Sequence, residues 1–115
     1  MTGFSNVMAA MVPLPLSASV LPVAAIKNGN NSPLTTNLVT VTAVGGVTPI
    51  SYAWAYVSGD ATISCNSFST PTTSWGTNIN PSTEKTAQWQ CTVTDSKPGA
   101  PGVVVLGVAI DILRF

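Results

Sequence analysis

The side chains that could move a proton, hold a metal or attack a substrate are few enough to take one at a time. The chain has no His, four acids (Asp60, Glu84, Asp95 and Asp111), four bases (Lys27, Lys85, Lys97 and Arg114) and two cysteines, Cys65 and Cys91. Without His the commonest general base and the commonest metal ligand are both missing. A calcium site wants six to eight oxygens, often from several carboxylates. Asp60, Asp95 and Asp111 are the candidates, yet nothing in the order of the elements brings them together. Asp60 after Ser58-Gly59 and Asp95 before Ser96 read instead as turn residues whose carboxylates bond nearby backbone. A carboxyl pair for glycoside hydrolysis would have to come from Glu84 and these aspartates, and their spacing does not support one. There is no phosphate-cradling glycine loop, no zinc spacing and no internal repeat. The expectation is a protein that is not an enzyme and has neither metal nor cofactor.

The remaining residues must therefore act by shape and contact. Only 7% of the 115 residues are charged, the formal net charge is zero and 45% are hydrophobic, against about 25% charged in a usual globular chain. A disordered acidic or basic tail needs the opposite balance. Binding to a phosphate backbone needs a basic footprint that is absent, so no nucleic-acid partner is expected. A surface so poor in charge promotes association, which points to a life inside an assembly. The alternative is a monomer coated with Thr, Ser and Asn.

The first 26 residues contain no charge at all. Pro13, Pro15 and Pro22 argue against a helix crossing a membrane, since each removes a backbone donor and clashes with the turn before it. Ser17-Ala18-Ser19 has the small residues of a leader-cleavage site. However, no Lys or Arg precedes the apolar run, as a secretory leader requires. The reading is an extended apolar arm over residues 1–15, with Pro13-Leu14-Pro15-Leu16 favouring extended geometry and only a short helical turn conceivable near Val7–Met11. Phe4, Val7, Met8, Met11, Val12, Leu14 and Leu16 are the candidate partner-binding residues. Lys27-Asn28-Gly29-Asn30-Asn31-Ser32-Pro33 then reads as a turn cluster, with Asn28-Gly29 its strongest signal.

From Leu38 the pattern has period two, as half-buried strands do. Val39, Val41 and Ala43 alternate with threonines. Tyr52, Trp54 and Tyr56 share a face. A short strand over Ala61–Cys65 and another over Thr72–Thr77, anchored by Trp75, precede a longer one over Thr86–Asp95. In that strand Trp89, Cys91 and Val93 point one way. The last strand, Val103–Leu113, sets Val104, Leu106, Val108, Ile110 and Ile112 on one face. About seven short strands without helices between them imply an all-β sandwich over residues 16–115. Val39, Val41, Trp54, Trp75, Trp89, Cys91 and Val93 are its expected core, and inner-face parity makes the tryptophans packing residues rather than a platform for sugars or bases.

Leu38-Val39-Thr40-Val41-Thr42-Ala43, Gly45-Gly46, Tyr52-Ala53-Trp54, Val57-Ser58-Gly59-Asp60 and Cys91-Thr92-Val93-Thr94-Asp95 follow in that order. The set resembles immunoglobulin-like domains of the polycystic-kidney-disease type, especially short versions from tailed bacteriophages, over roughly residues 35–113. The resemblance implies an immunoglobulin-like antiparallel sandwich with Trp54 in the core of its third strand and Val93-Thr94-Asp95 closing its penultimate one. Cys65 and Cys91 both follow Trp54, so the inter-sheet disulfide of antibody domains is not implied. In such an arrangement the Trp54 strand would separate the two cysteines. That favours two buried free thiols over a disulfide, in keeping with assembly in a reducing host cytoplasm.

These readings combine into an expected structural component of a bacteriophage virion, either tail-associated or decorating the capsid. The arm would anchor it to other virion structural subunits in an oligomer or large assembly, with no membrane involved. The competing expectation is a carbohydrate- or receptor-binding adhesion module on a phage or bacterial surface. There outward aromatics such as Tyr52, Tyr56 or Trp75 would touch a glycan.

Overall fold

A computed structural model describes residues 14–115. The described chain contains no helix, and 58% of it lies in strands. Ten strand segments follow one another: β1 Ser17–Leu21, β2 Ala24–Gly29, β3 Leu34–Thr35, β4 Val39–Val44, β5 Ser51–Gly59, β6 Ser64–Cys65, β7 Thr72–Thr73, β8 Trp75–Thr77, β9 Thr83–Thr94 and β10 Val103–Arg114. They form a four-stranded sheet ordered β2-β10-β9-β5 and two three-stranded sheets, β1-β4-β7 and β3-β8-β6. The two smaller sheets run on from each other, because β7 and β8 are halves of one run interrupted at Ser74. The first half pairs with β4 and the second with β3 and β6. At this joint Thr36 holds both sides, its amide donating to the Trp75 carbonyl at 2.8 Å and its hydroxyl accepting from the Trp75 amide at 3.1 Å.

The layers meet over one apolar core. Val39, Val41, Trp54, Trp75, Trp89, Cys91 and Val93 are all buried, together with Ile63, Val108, Ile110 and Ile112. Val104 and Leu106 complete the expected face of β10 only as partly buried neighbours of that core. Trp75 from one layer meets Trp54 and Trp89 from the other, edge to face, at ring-centre separations of 5.3 and 6.1 Å. Such pairs stabilise by about 0.5–1.5 kcal/mol beyond the area they bury. The Trp54 indole donates to the Thr70 carbonyl at 2.8 Å, whereas the indole nitrogens of Trp75 and Trp89 are buried without an acceptor.

Several local expectations change. Asn28-Gly29 is the end of β2 rather than a turn, because β2 runs parallel to β10 as far as the Arg114–Gly29 pairing. A Cβ at Gly29 would come 2.9 Å from a terminal methyl of Leu34, a contact that a shift of that side chain relieves. The turn lies just beyond, over residues 30–33. The expected strand over Ala61–Cys65 shrinks to Ser64–Cys65. The Asp60 carboxylate takes the Thr62 amide at 2.9 Å and its hydroxyl at 2.5 Å, which bends the chain at 61–62. The strand predicted from Thr86 begins at Thr83, pairing with Arg114.

Candidate functional site

The root of the arm is where the described structure meets the segment expected to bind a partner. Phe4, Val7, Met8, Met11, Val12 and the short turn considered near Val7–Met11 lie outside the described residues. Of the remaining candidates, Leu14 is 69% exposed, while Leu16 packs against the core. The Gly46 amide donates to the Leu14 carbonyl at 2.7 Å. Gly45 and Gly46 both have left-handed backbones, with φ of 72° and 73°. A Cβ on Gly45 would lie 2.4 Å from the Pro15 carbonyl oxygen, and one on Gly46 would lie 3.1 Å from Leu16. Glycine is thus required twice over here, for conformation and for the close passage of the arm's root. Gly102 supports the same segment from the other side, 3.2 Å from Leu16 by the same measure.

Asp95 ties these loops together. Its carboxylate accepts backbone N–H groups from Gly102 at 2.7 Å, Val47 at 3.0 Å and Lys97 at 3.1 Å. The Asp95 amide donates to the Gly102 carbonyl, and the Ser96 amide to that of Val47. The Lys97 amide leads the contacts that hold the Asp95 carboxyl below its ordinary value, opposed by desolvation and helped by the Gly102 and Val47 amides and the Lys97 charge. Asp95 is therefore an anionic clasp joining the β4–β5 loop, the β9–β10 loop and the seat of Leu16. The turn role was legible in the sequence, but its reach to Val47, 48 residues away, was not. Beside the clasp opens a cleft of about 340 Å³, walled by Leu14, Leu16, Val47, Ala100 and Val103, with Lys97 at its margin.

The other titratable groups are dispersed. Asp60 sits by Thr86 and Asp95 at the far end of β9, roughly 30 Å along a strand at about 3.3 Å per residue. Among the described residues, no three acids or cysteines gather as a metal site would require. Glu84 and Asp111 do meet, contrary to what their spacing suggested. The Asp111 carboxyl, first by sharing a proton with it and then by repulsion, raises the Glu84 pKa above its ordinary value. The β9–β10 hairpin pairs Asp111 with Thr86 and Leu113 with Glu84, which makes the two acids diagonal neighbours on one face. Counting the antiparallel register back from the turn that joins β9 to β10 discloses this. The pair belongs to neither cleft described here, and Asp111 Oδ1 is buried with no hydrogen-bond partner.

Cys65 and Cys91 are buried and unbonded. The Trp54 strand, β5, does not separate them as expected, since it lies at the edge of the four-stranded sheet beyond β9. The cysteines sit on different layers, one on β6 and one on β9. Cys65 Sγ is occupied by the Ser67 carbonyl at 3.1 Å and the Thr73 hydroxyl at 3.2 Å, and burial pushes the Cys91 thiol up.

The aromatics proposed for glycan contact divide. Trp75 is fully buried and is withdrawn from that role, and Tyr52 packs on the core. Tyr56 is 43% exposed and Phe68 57%, both against Trp89. A second cleft, of about 330 Å³, is lined by hydroxyls and amides including Thr35, Thr62, Ser64, Asn66 and Asn78. No protein-family model, curated protein or solved structure matches the chain.

Proposed function

We propose that this chain is a non-enzymatic structural module of a bacteriophage particle, tail-associated or capsid-decorating. In this reading it is an immunoglobulin-like sandwich joined to neighbouring virion subunits by its apolar N-terminal arm. The observation that carries the reading is the anchored root. The Leu14 carbonyl accepts the Gly46 amide, Leu16 packs against the core, and the segment passes close over Gly45, Gly46 and Gly102, so a pull on the arm is delivered to the body of the sandwich. The segment beyond is uncharged, and apolar, charge-poor contacts suit permanent interfaces.

Support for the immunoglobulin-like reading comes from strand order. Counting β3 with β4 and β7 with β8 leaves β2 as an added edge and seven strands. Their orders are then β1, β3/β4, β7/β8, β6 in one layer and β10, β9, β5 in the other. These correspond to the A-B-E-D and G-F-C layers of an immunoglobulin constant-type domain. The phage assignment rests on the sequence resemblance, which is a fold-level analogy. Two unbonded thiols accord with assembly in a host cytoplasm.

The test is removal of residues 1–13, which leaves the root and every core residue in place. The truncated chain is expected to keep its cooperative melt and to be lost from particles in a complementation assay. Normal incorporation would refute the arm's role. A second reading, an adhesion module for a carbohydrate or receptor, draws on exposed Tyr56 and Phe68. It requires the fluorescence of the adjacent Trp89 to shift when a glycan binds.

A further inference from the structure

We propose that the cleft beside the arm's root receives the arm of a second copy of this chain. The inference rests on the attachment reading above and names the partner.

The cleft is suited to an uncharged occupant. Its walls include Leu14, Leu16, Val47, Ala100 and Val103, with Lys97, itself exposed to solvent, the one cation on the lining. The one carboxylate on its lining, Asp95, already accepts three backbone N–H groups. At about 340 Å³ it is at the small end of ligand pockets, which span roughly 300–1,000 Å³, and fits one or two large side chains. Residues 1–13 offer Phe4, Val7, Met8, Met11 and Val12 and no charge. Methionine is the side chain best able to fill an irregular gap.

A second copy is the occupant proposed because the junction between arm and sandwich opposes doubling back. The Leu14 carbonyl is fixed by the Gly46 amide, and Leu14 and Val12 each precede a proline. A residue before proline is restricted to extended backbone, which opposes the reversal needed to bring Met11 or Val12 back beside Leu14. Thirteen extended residues reach about 40 Å, enough to pass to a neighbour. Leu14 and Leu16 also form part of the cleft's own wall. Every copy that extends an arm therefore presents a finished receptor, and the contact repeats head to tail. Such a heterologous interface closes into a ring or continues as a filament.

The experiment uses the full-length chain carrying p-benzoylphenylalanine at Lys97, mixed as isotopically light and heavy populations, irradiated and read by mass spectrometry. Cross-links joining light to heavy chains and mapping to residues 1–13 are expected. In parallel, Ala100→Arg, on an exposed loop residue, is expected to weaken self-association at least tenfold in sedimentation while the melting temperature stays put. A chain that remains monomeric, cross-links confined to single chains or to other surfaces, or unaltered association of the Ala100→Arg variant would each overturn the proposal. The two ideas fail separately. Loss of the truncated chain from particles without these cross-links leaves attachment standing and removes this cleft as its receptor. Cross-links combined with normal incorporation of the truncated chain do the reverse.

Discussion

Replacing Gly45 with Ala tests whether the arm's root is truly seated, and Gly99→Ala is its matched control. Both glycines have left-handed backbones, with φ of 72° and 81°, so each alanine carries a similar conformational cost of roughly 1–2 kcal/mol. They differ in surroundings. A Cβ at Gly99 meets nothing within 4 Å, whereas at Gly45 it lies 2.4 Å from the Pro15 carbonyl oxygen. That contact is with backbone and cannot be relieved by a rotamer change. The root must lift, losing the Gly46–Leu14 hydrogen bond, about 0.5–1.5 kcal/mol. It also loosens Leu16, whose full burial would be worth about 1.5–3 kcal/mol and whose partial burial is worth roughly half. Gly45→Ala should therefore destabilise by about 1–3 kcal/mol more than Gly99→Ala. At around 4 °C per kcal/mol for a chain of this size, the melting temperatures should separate by roughly 4–12 °C. Calorimetry of the two variants measures the difference. Hydrogen exchange at the Gly46 amide locates it, since that amide should lose protection only in Gly45→Ala. Equal melts with Gly46 still protected would refute the seating of the root.

Three further outcomes follow from the titratable groups. Asp95 has a lowered folded-state pKa, so its stabilisation is present above its unfolded value near 3.8. That contribution fades as pH falls through the lower folded value. Melts across this range should decline in the parent and decline less in Asp95→Asn, which should be weaker at neutral pH. Glu84 is raised by Asp111, the opposite sign. Its penalty is absent below about pH 4.5 and present above the raised folded value, so Glu84→Gln should melt higher than the parent at pH 7 and equal to it in acid. Both thiols are buried, so a thiol reagent at pH 8 should label neither cysteine until denaturant is added. Rapid native labelling would contradict the packing of β6 against β9.

The parts of the fold legible in the sequence are those where one face is dry. In β4 and β9 the core residues alternate with polar ones, and in β5 and β10 largely with small or exposed apolar ones such as Ala53, Ala55, Val103 and Val105, because only one side of each strand meets the other layer. The start of β9 was missed for a related reason. Lys85 needs no apolar partner, since its ammonium donates to the Thr62 and Thr77 hydroxyls and the Asn78 carbonyl. Its alternation therefore carries no hydrophobic signal. The break at Ser74 was hidden because Thr73 and Trp75 keep the same parity while their strand changes partners from β4 to β3 and β6. β2 was obscured by Asn28-Gly29, turn residues that the sheet edge tolerates. There the Asn37 side chain accepts the Ile26 amide at 2.9 Å and blunts the free edge. At the candidate site, the uncharged arm and the turn role of Asp95 could be read directly. The clasp could not, because Gly45, Gly46, Val47 and Gly102 become neighbours only through the packing of two distant loops.

In the proposed function this chain is built into a virus particle. The most direct measurement is electron microscopy of lysates from the cells that produce it, with the chain marked by gold-conjugated antibody. Gold on particle heads or tails is the predicted result, and its position would separate capsid decoration from a tail role. Bare particles, with antigen on cell surfaces or free in the medium, would contradict the claim and favour the adhesion module.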